Sequence, residues 1–114
     1  MTTEEATRIF SEIEACPPLM RDKVKAAYLS REVDWILTLA DGHEERPGWA
    51  RLMFRRQRSD LSFVAARVPL SDCPWLRYVH SGETVRLRGR IADVNARSIE
   101  LEGASVSQVI DAAS

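Results

Sequence analysis

Long apolar runs are missing from this sequence of 114 residues, although 45% of its side chains are hydrophobic. A membrane-spanning helix needs about 18 or more consecutive apolar residues, so we expect no membrane partner. The first eight residues, MTTEEATR, are polar and acidic, unlike the start of a secretory signal, and we therefore expect a cytoplasmic protein. The length is close to that of one typical domain, which predicts a single compact unit.

Metal-ligating residues are also scarce. The two cysteines and two histidines lack the short paired spacing of structural zinc sites, because successive separations are 27, 30 and 7 residues along Cys16, His43, Cys73 and His80. We predict no metal and interpret both cysteines as small hydrophobic residues of apolar helix faces. The lack of an export signal favours reduced thiols over a disulfide between them.

Glycine-rich loops and paired catalytic side chains are absent as well. The five glycines are scattered along the chain and form no phosphate-binding loop. The adjacent carboxylates of Glu4-Glu5 and Glu44-Glu45 lie in a predicted helical turn and a predicted loop, which is typical of solvated surface groups rather than of an acid–base pair. The sequence therefore predicts a protein that is not an enzyme and has no cofactor.

Lysine is rare among the basic residues, since 14 of the 16 are arginine. The distribution of charge is uneven: residues 46–97 carry +7, whereas residues 1–45 and 98–114 carry −5 and −3. The formal net charge of −1 is thus the sum of a basic centre and acidic ends. A segregated distribution can create a local field, so near-neutrality is weak evidence against a nucleic-acid partner.

Two helices are predicted before residue 30, and we call residues 1–29 the helical arm. Thr2 and Glu5 have the spacing of a capping box. An apolar face at helical period follows at Ala6, Ile9, Phe10 and Ile13. Pro17-Pro18 ends this helix, and Pro18 opens the next one, whose apolar stripe is Met20, Val24, Ala27 and Tyr28.

Alternating patterns predict five strands in the rest of the chain, residues 30–110. The first is residues 33–39, ended by Asp41-Gly42 and followed by a loop through Pro47-Gly48. The second and third are residues 49–56 and 61–68, joined by a turn at 58–60. After a short helix from Ser71 to His80, residues 85–92 and 98–102 form the last two strands, and Gly103 bends the chain. Trp35 lies in the apolar register and is expected in the core.

Five strands with a helix between the third and fourth is the order of the OB-fold, a five-stranded Greek-key barrel. Residues 33–39 (VDWILTL) and 82–102 (GETVRLRGRIADVNARSIELE) resemble the first strand and last hairpin of the bacterial tRNA-anti-like OB group. Gly89 matches the glycine that lets the fourth strand of that group coil. The resemblance covers roughly residues 30–107 and implies a mainly β protein, the barrel being preceded by the helical arm.

Arginines and aromatic residues share one predicted face of the second and third strands, which is where OB-folds bind single strands. We call this set the arginine face; it comprises Trp49, Arg51, Met53, Arg55, Phe63 and Arg67. Arg56 and Arg58 extend it into the adjacent turn. Guanidinium groups can follow phosphates and rings can stack on bases. The leading interpretation is a non-catalytic module for single-stranded nucleic acid, with Arg51, Arg55, Arg56, Arg58 and Arg67 on phosphates and with Trp49 and Phe63 on bases.

Four other interpretations stay open. The acidic helical arm could cover the arginine face and neutralise it. The arginines of the fourth strand could pair with neighbouring glutamates, since a three-residue turn places Arg88 and Arg90 opposite Glu100 and Glu102. The module could instead bind a protein partner or form a homo-oligomer, because Arg, Trp and Met are enriched at interfaces. A pocket between the first and last hairpin loops would favour a small-molecule or oligosaccharide sensor.

Overall fold

A computed structural model describes residues 4–56, 62–95 and 97–109 of the chain. Its helices are α1 (Glu4–Ala15), a 3-10 turn (Pro18–Met20), α2 (Arg21–Ala26) and a second 3-10 helix (Pro74–Tyr78). Its strands are β1 (Glu32–Arg46), β2 (Trp49–Arg55), β3 (Phe63–Pro69), β4 (Thr84–Val94) and β5 (Ser98–Gln108). The order matches the one that the sequence predicts.

The five strands close into a barrel in the order β1-β2-β3-β5-β4, with β4 pairing back onto β1. All neighbours are antiparallel except β3 and β5, which are parallel. This is the Greek-key order of the OB-fold, so the predicted mainly β barrel is confirmed. The capping-box residue Thr2 and the turn at 58–60 lie outside the described residues.

The barrel interior is filled by the alternate residues that the period of two assigns to it. Trp35 and Leu37 of β1 are each 1% exposed, while Phe54 of β2 and Leu87 of β4 are fully buried. Trp35 is therefore a core residue, as its register predicts. The intervening positions of β2, from Trp49 to Arg55, are only half-buried, which confirms the outward side of this strand.

β1 is longer than the sequence predicts, and the predicted loop after Asp41-Gly42 is wrong. The strand passes through Gly42 with a register shift between Leu39 and Asp41 and stays paired with β2 up to Arg46. A side chain at position 42 would collide with Leu52, because an added Cβ lies 2.7 Å from Leu52 Cδ2. Because β1 stays paired with β2 up to Arg46, the reversal is reduced to Pro47-Gly48.

The predicted helices are shorter than expected in two places. The segment after Pro17 is a 3-10 turn followed by a six-residue helix, and α2 buries none of its own residues. Of the predicted stripe, Tyr28 is buried and Val24 partly so, but Met20 is 44% exposed. The helix between β3 and β4 starts after Cys73 rather than Ser71 and ends at Tyr78 rather than His80.

The helical arm packs on one end of the barrel. The apolar face of α1 is buried as predicted, with Ile9 and Ile13 each 1% exposed and joined to the barrel core. The buried indole of Trp35 donates a hydrogen bond to Glu5 (Nε1 to Oε1, 3.1 Å). Lys25 pairs with Asp93 near the end of β4. These contacts place the arm where β1 begins and β4 ends.

Among the described residues, none of the helices combines the length and the apolar character that crossing a membrane requires.

Candidate nucleic-acid interface

The arginine face forms a continuous outer surface of β2 and β3. Arg51 lies directly opposite Arg67, and Met53 lies opposite Ala65. Trp49 is opposite Pro69 at one end of β3, and Phe63 begins the same strand six residues earlier. At a rise of about 3.3 Å per residue, the two aromatic residues lie roughly 20 Å apart along the face. The structure thus places the two aromatic residues at the two ends of the arginine face, with the arginines between them.

Arg51 forms an ion pair with a carboxylate of the barrel. Its Nη2 lies 3.0 Å from Oε1 of Glu100 on β5. Because β3 separates β2 from β5, the ion pair passes over β3. Ala65, the residue of β3 that pairs with Glu100, has no exposed surface although it faces outward. A small residue at this position lets the pair cross the strand.

Arg67 also forms an ion pair, with a carboxylate of β1 on the other side of the face. Its Nε and Nη2 contact the two carboxylate oxygens of Glu45 at 2.5 and 3.1 Å, and this pair passes over β2 because Glu45 lies on β1. The hydrogen bond from Arg67 holds the pKa of Glu45 below its usual value, with smaller contributions from Arg51 and His43. The two guanidinium groups, which would repel each other across the strands, are thereby neutralised by β1 and β5 and not by the helical arm.

Arg55 is different, since its guanidinium makes no ion pair with any described residue. Its Nε is buried without a hydrogen-bond partner there. The side chain lines a cleft of about 140 Å³ together with residues of β1 and of the turn before β4: Thr38, Leu39, Ala40, Ser81 and Gly82. A buried donor without an acceptor costs about 1–3 kcal/mol. The described residues thus leave the guanidinium of Arg55 without a counter-charge.

Arg46 belongs to this surface and was missed by the sequence prediction. Its guanidinium lies over the ring of Trp49, 4.9 Å from the centroid, and the residue is exposed. A cation in contact with an aromatic face is favourable, and the pair presents a flat, charged platform at the tip of the β1–β2 hairpin. The signal was available: Pro47-Gly48 is a two-residue turn, and a hairpin around it pairs Arg46 with Trp49.

One of the remaining predicted residues, Arg56, does not join the face. Arg56 follows the end of β2 and lies over the ring of Phe10, 5.1 Å from its centroid, so it contacts the helical arm. Arg58 lies outside the described residues. Phe63 does lie on the face, half-buried at the start of β3, where its backbone N–H donates to the Arg97 carbonyl at 2.9 Å.

The arginines of β4 pair mainly with β1 and not with β5 as predicted. Arg86 donates through Nε and Nη2 to both oxygens of Asp34, and Arg88 donates to the same carboxylate at 3.2 Å. Arg90 does face Glu102, but Arg88 faces Ser105. The difference arises at the hairpin, where Val94 pairs with Ile99, so that Glu100 lies opposite Asp93 and not opposite an arginine. A further register shift lies between Arg88 and Arg90, at Gly89.

The Asp34 cluster predicts a dependence of stability on pH. The hydrogen bond from Arg86 lowers the pKa of Asp34 below its usual value, so the cluster stabilises the folded chain above that value and is lost as the pH falls through the lowered pKa. Asp34→Asn should decrease the free energy of unfolding by about 0.5–1 kcal/mol at pH 7, and the difference from wild type should be smaller near pH 3, which lies below the usual aspartate pKa of 3.8. Urea unfolding at both pH values measures it. Asp72→Asn, in an exposed turn, is the control, and an equal loss at both pH values would contradict the prediction.

Two larger clefts lie away from the arginine face. One of about 570 Å³ is lined by Glu32, Val33, Asp34, Arg88, Gly89, Arg90 and Gly103. The other, about 310 Å³, lies between the outer half of β1 and the second 3-10 helix. Neither is lined by both the first and the last hairpin loop, so neither supports the sensor interpretation. Within the described ranges no group of three or more His, Cys, Asp or Glu residues could bind a metal.

The cysteines are both unpaired. Cys73 is 3% exposed and Cys16 is half-buried. Burial raises the pKa of the Cys73 thiol, which is the environment of an unreactive structural cysteine. Cys73 lies just before the second 3-10 helix and not within an apolar helix face.

Comparison with solved structures gives the same architecture. The chain is similar to a Klebsiella pneumoniae lipoprotein described as a candidate nucleic acid-binding protein, with a TM-score of 0.58, 13% identity, and coverage of 75% of this chain and 77% of the lipoprotein. It is also similar to a candidate aspartyl-tRNA synthetase from Leishmania major, with a TM-score of 0.54 and 12% identity, over 89% of this chain and 20% of the synthetase. The similarity is one of fold. No protein-family model and no curated protein matches the chain, and its place in the tRNA-anti-like group stays a prediction.

Proposed function

We propose that this protein is a non-catalytic OB-fold module that binds single-stranded nucleic acid on the arginine face. The observation that carries the proposal concerns Arg46 and Arg55, which have no carboxylate partner among the described residues. They lie at the edges of a face that also holds Trp49 and Phe63. The similarity in fold to the Klebsiella protein, a candidate nucleic acid-binding protein, supports it. The cytoplasmic location stays a prediction.

The proposed contacts follow from this arrangement. Trp49, with Arg46 on its ring, offers a stacking surface for a base at the hairpin tip, and Phe63 offers one at the other end. Arg55 binds a phosphate without giving up an ion pair to any described residue, whereas Arg51 and Arg67 must exchange a carboxylate for one. Base stacking on a ring contributes about 1–3 kcal/mol per base.

Fluorescence anisotropy with labelled strands of about 12 nucleotides, within the length that one OB-fold covers, tests the proposal. We expect binding at about 50 mM salt that weakens steeply towards about 200 mM, because each phosphate contact releases counterions. Both dT and U strands serve as ligands, and the matching duplex is the control. Absence of binding to either strand at about 50 mM salt would contradict the proposal.

The alternative is an interaction module that binds a second copy of this chain. It is favoured by Leu19 and Met20, which are 97% and 44% exposed on the 3-10 turn of the helical arm. This function predicts a dimer in size-exclusion chromatography that Leu19→Asp converts to monomer while Arg55→Glu has no effect. A monomer at all concentrations would remove it.

A further inference from the structure

The two paired arginines form a barrier across the proposed binding face. Arg51 reaches over β3 to Glu100, and Arg67 reaches over β2 to Glu45. The two ion pairs therefore cross the face in opposite directions, between the aromatic residues at its ends. A nucleic-acid strand running from Trp49 to Phe63 must displace these ion pairs to reach the guanidinium groups.

The geometry of these pairs also suits phosphate. Arg67 offers its Nε and Nη2 as a fork to two oxygens of Glu45, and the same fork binds two phosphate oxygens. Arg67 keeps 53% of its side chain exposed, Glu45 and Glu100 keep 33% and 31%, and Arg51 keeps 24%. All four groups are accessible enough to exchange partners without opening the barrel.

We propose that Glu45 and Glu100 occupy two phosphate subsites, at Arg67 and Arg51, and make the face selective for ligands that carry several linked phosphates. This inference rests on the proposed function. A tethered carboxylate acts at a high effective concentration, so an isolated phosphate does not displace it. A nucleic-acid strand already held by Arg55 and by stacking on Trp49 presents its phosphates at a similarly high effective concentration. Such a strand therefore does displace the carboxylates.

The double variant Glu45→Gln/Glu100→Gln tests this role. It leaves both arginines in place and removes the competing charges, so we expect affinity for the 12-nucleotide strand to rise about 3- to 30-fold. The slope of log K against log salt should become steeper by about 1.4, because each of the two phosphates neutralised on a single strand contributes about 0.7. In wild type this contribution is offset, since each carboxylate released from its arginine takes up cations. A mononucleotide (5′-AMP) should bind the double variant measurably and wild type not at all.

Glu44→Gln/Glu102→Gln is the matched control. It makes the same change in net charge at neighbouring positions of β1 and β5 but leaves Glu45 and Glu100 in place. Glu44 pairs with Arg77 and Glu102 faces Arg90, so neither replaced residue pairs with Arg51 or Arg67. We expect less than a threefold change in affinity and no change in slope. Thermal unfolding of both double variants checks that the barrel remains folded.

The outcomes separate this inference from the proposed function. If wild type binds the strand and the Glu45/Glu100 variant has the same affinity and slope, or if the control gains as much, the two carboxylates are not competitors and the inference is wrong. Equal binding of 5′-AMP by wild type would contradict it as well. If neither wild type nor the variant binds any strand, the proposed function fails.

Discussion

Replacing Ile9 by alanine is expected to lower the free energy of unfolding by about 2–5 kcal/mol. Ile9 is 1% exposed and belongs to the same apolar cluster as the barrel interior, so its truncation leaves a cavity between helix and barrel. Urea unfolding followed by far-UV circular dichroism and by tryptophan fluorescence measures the change. Since Trp35 is hydrogen-bonded to the helix, we expect both signals to change together in a single transition.

Leu19→Ala is the matched control for this substitution. It removes a side chain of the same size class from the helical arm, but Leu19 is 97% exposed, so the change should stay within about 0.5 kcal/mol. A loss below about 1 kcal/mol for Ile9→Ala, or two separate transitions, would show that the arm is not part of the core. The predicted division into an arm of residues 1–29 and a barrel of residues 30–110 within one compact unit is tested by this result.

Reversing the charges of Arg46 and Arg55 together should weaken strand binding about 100-fold or more. A hydrogen bond to a charged group contributes about 1.5–3 kcal/mol, two are lost, and 1.4 kcal/mol corresponds to a factor of ten. Neither residue makes an ion pair with a described residue, so Arg46→Glu/Arg55→Glu breaks no ion pair there and removes only the contact of Arg46 with the Trp49 ring. Anisotropy titration at about 50 mM salt measures the loss.

Net charge alone could weaken binding, and Arg8→Glu/Lys23→Glu controls for it. These two residues are exposed on the helical arm, and their reversal changes the net charge by the same amount. We expect the control to keep affinity within about threefold and the salt slope of wild type, because a distant charge acts only through a screened field. Equal loss in both variants would show that binding depends on overall charge and not on the arginine face.

Local patterns predicted most of the barrel correctly. The alternation at residues 33–39 and 85–92 reports which side of a strand is buried, and this depends on neighbouring residues alone. The same patterns failed at Asp41-Gly42, which reads as a strand end. Pairing with β2 continues the strand through Gly42 to Arg46. A pattern within one segment contains no information on a partner strand that lies elsewhere in the chain.

For the candidate site, too, some features follow from the sequence and others only from the tertiary structure. Composition and strand period by themselves determined that Trp49, Arg51, Arg55, Phe63 and Arg67 share one outer face. Only the tertiary structure decided which arginines are paired, because Glu45 and Glu100 come from β1 and β5 and meet the face through barrel closure. It also decided that the helical arm covers one end of the barrel and that Arg46 lies on Trp49. Side-chain period is a local property, whereas ion pairing depends on which strands the closed barrel brings together.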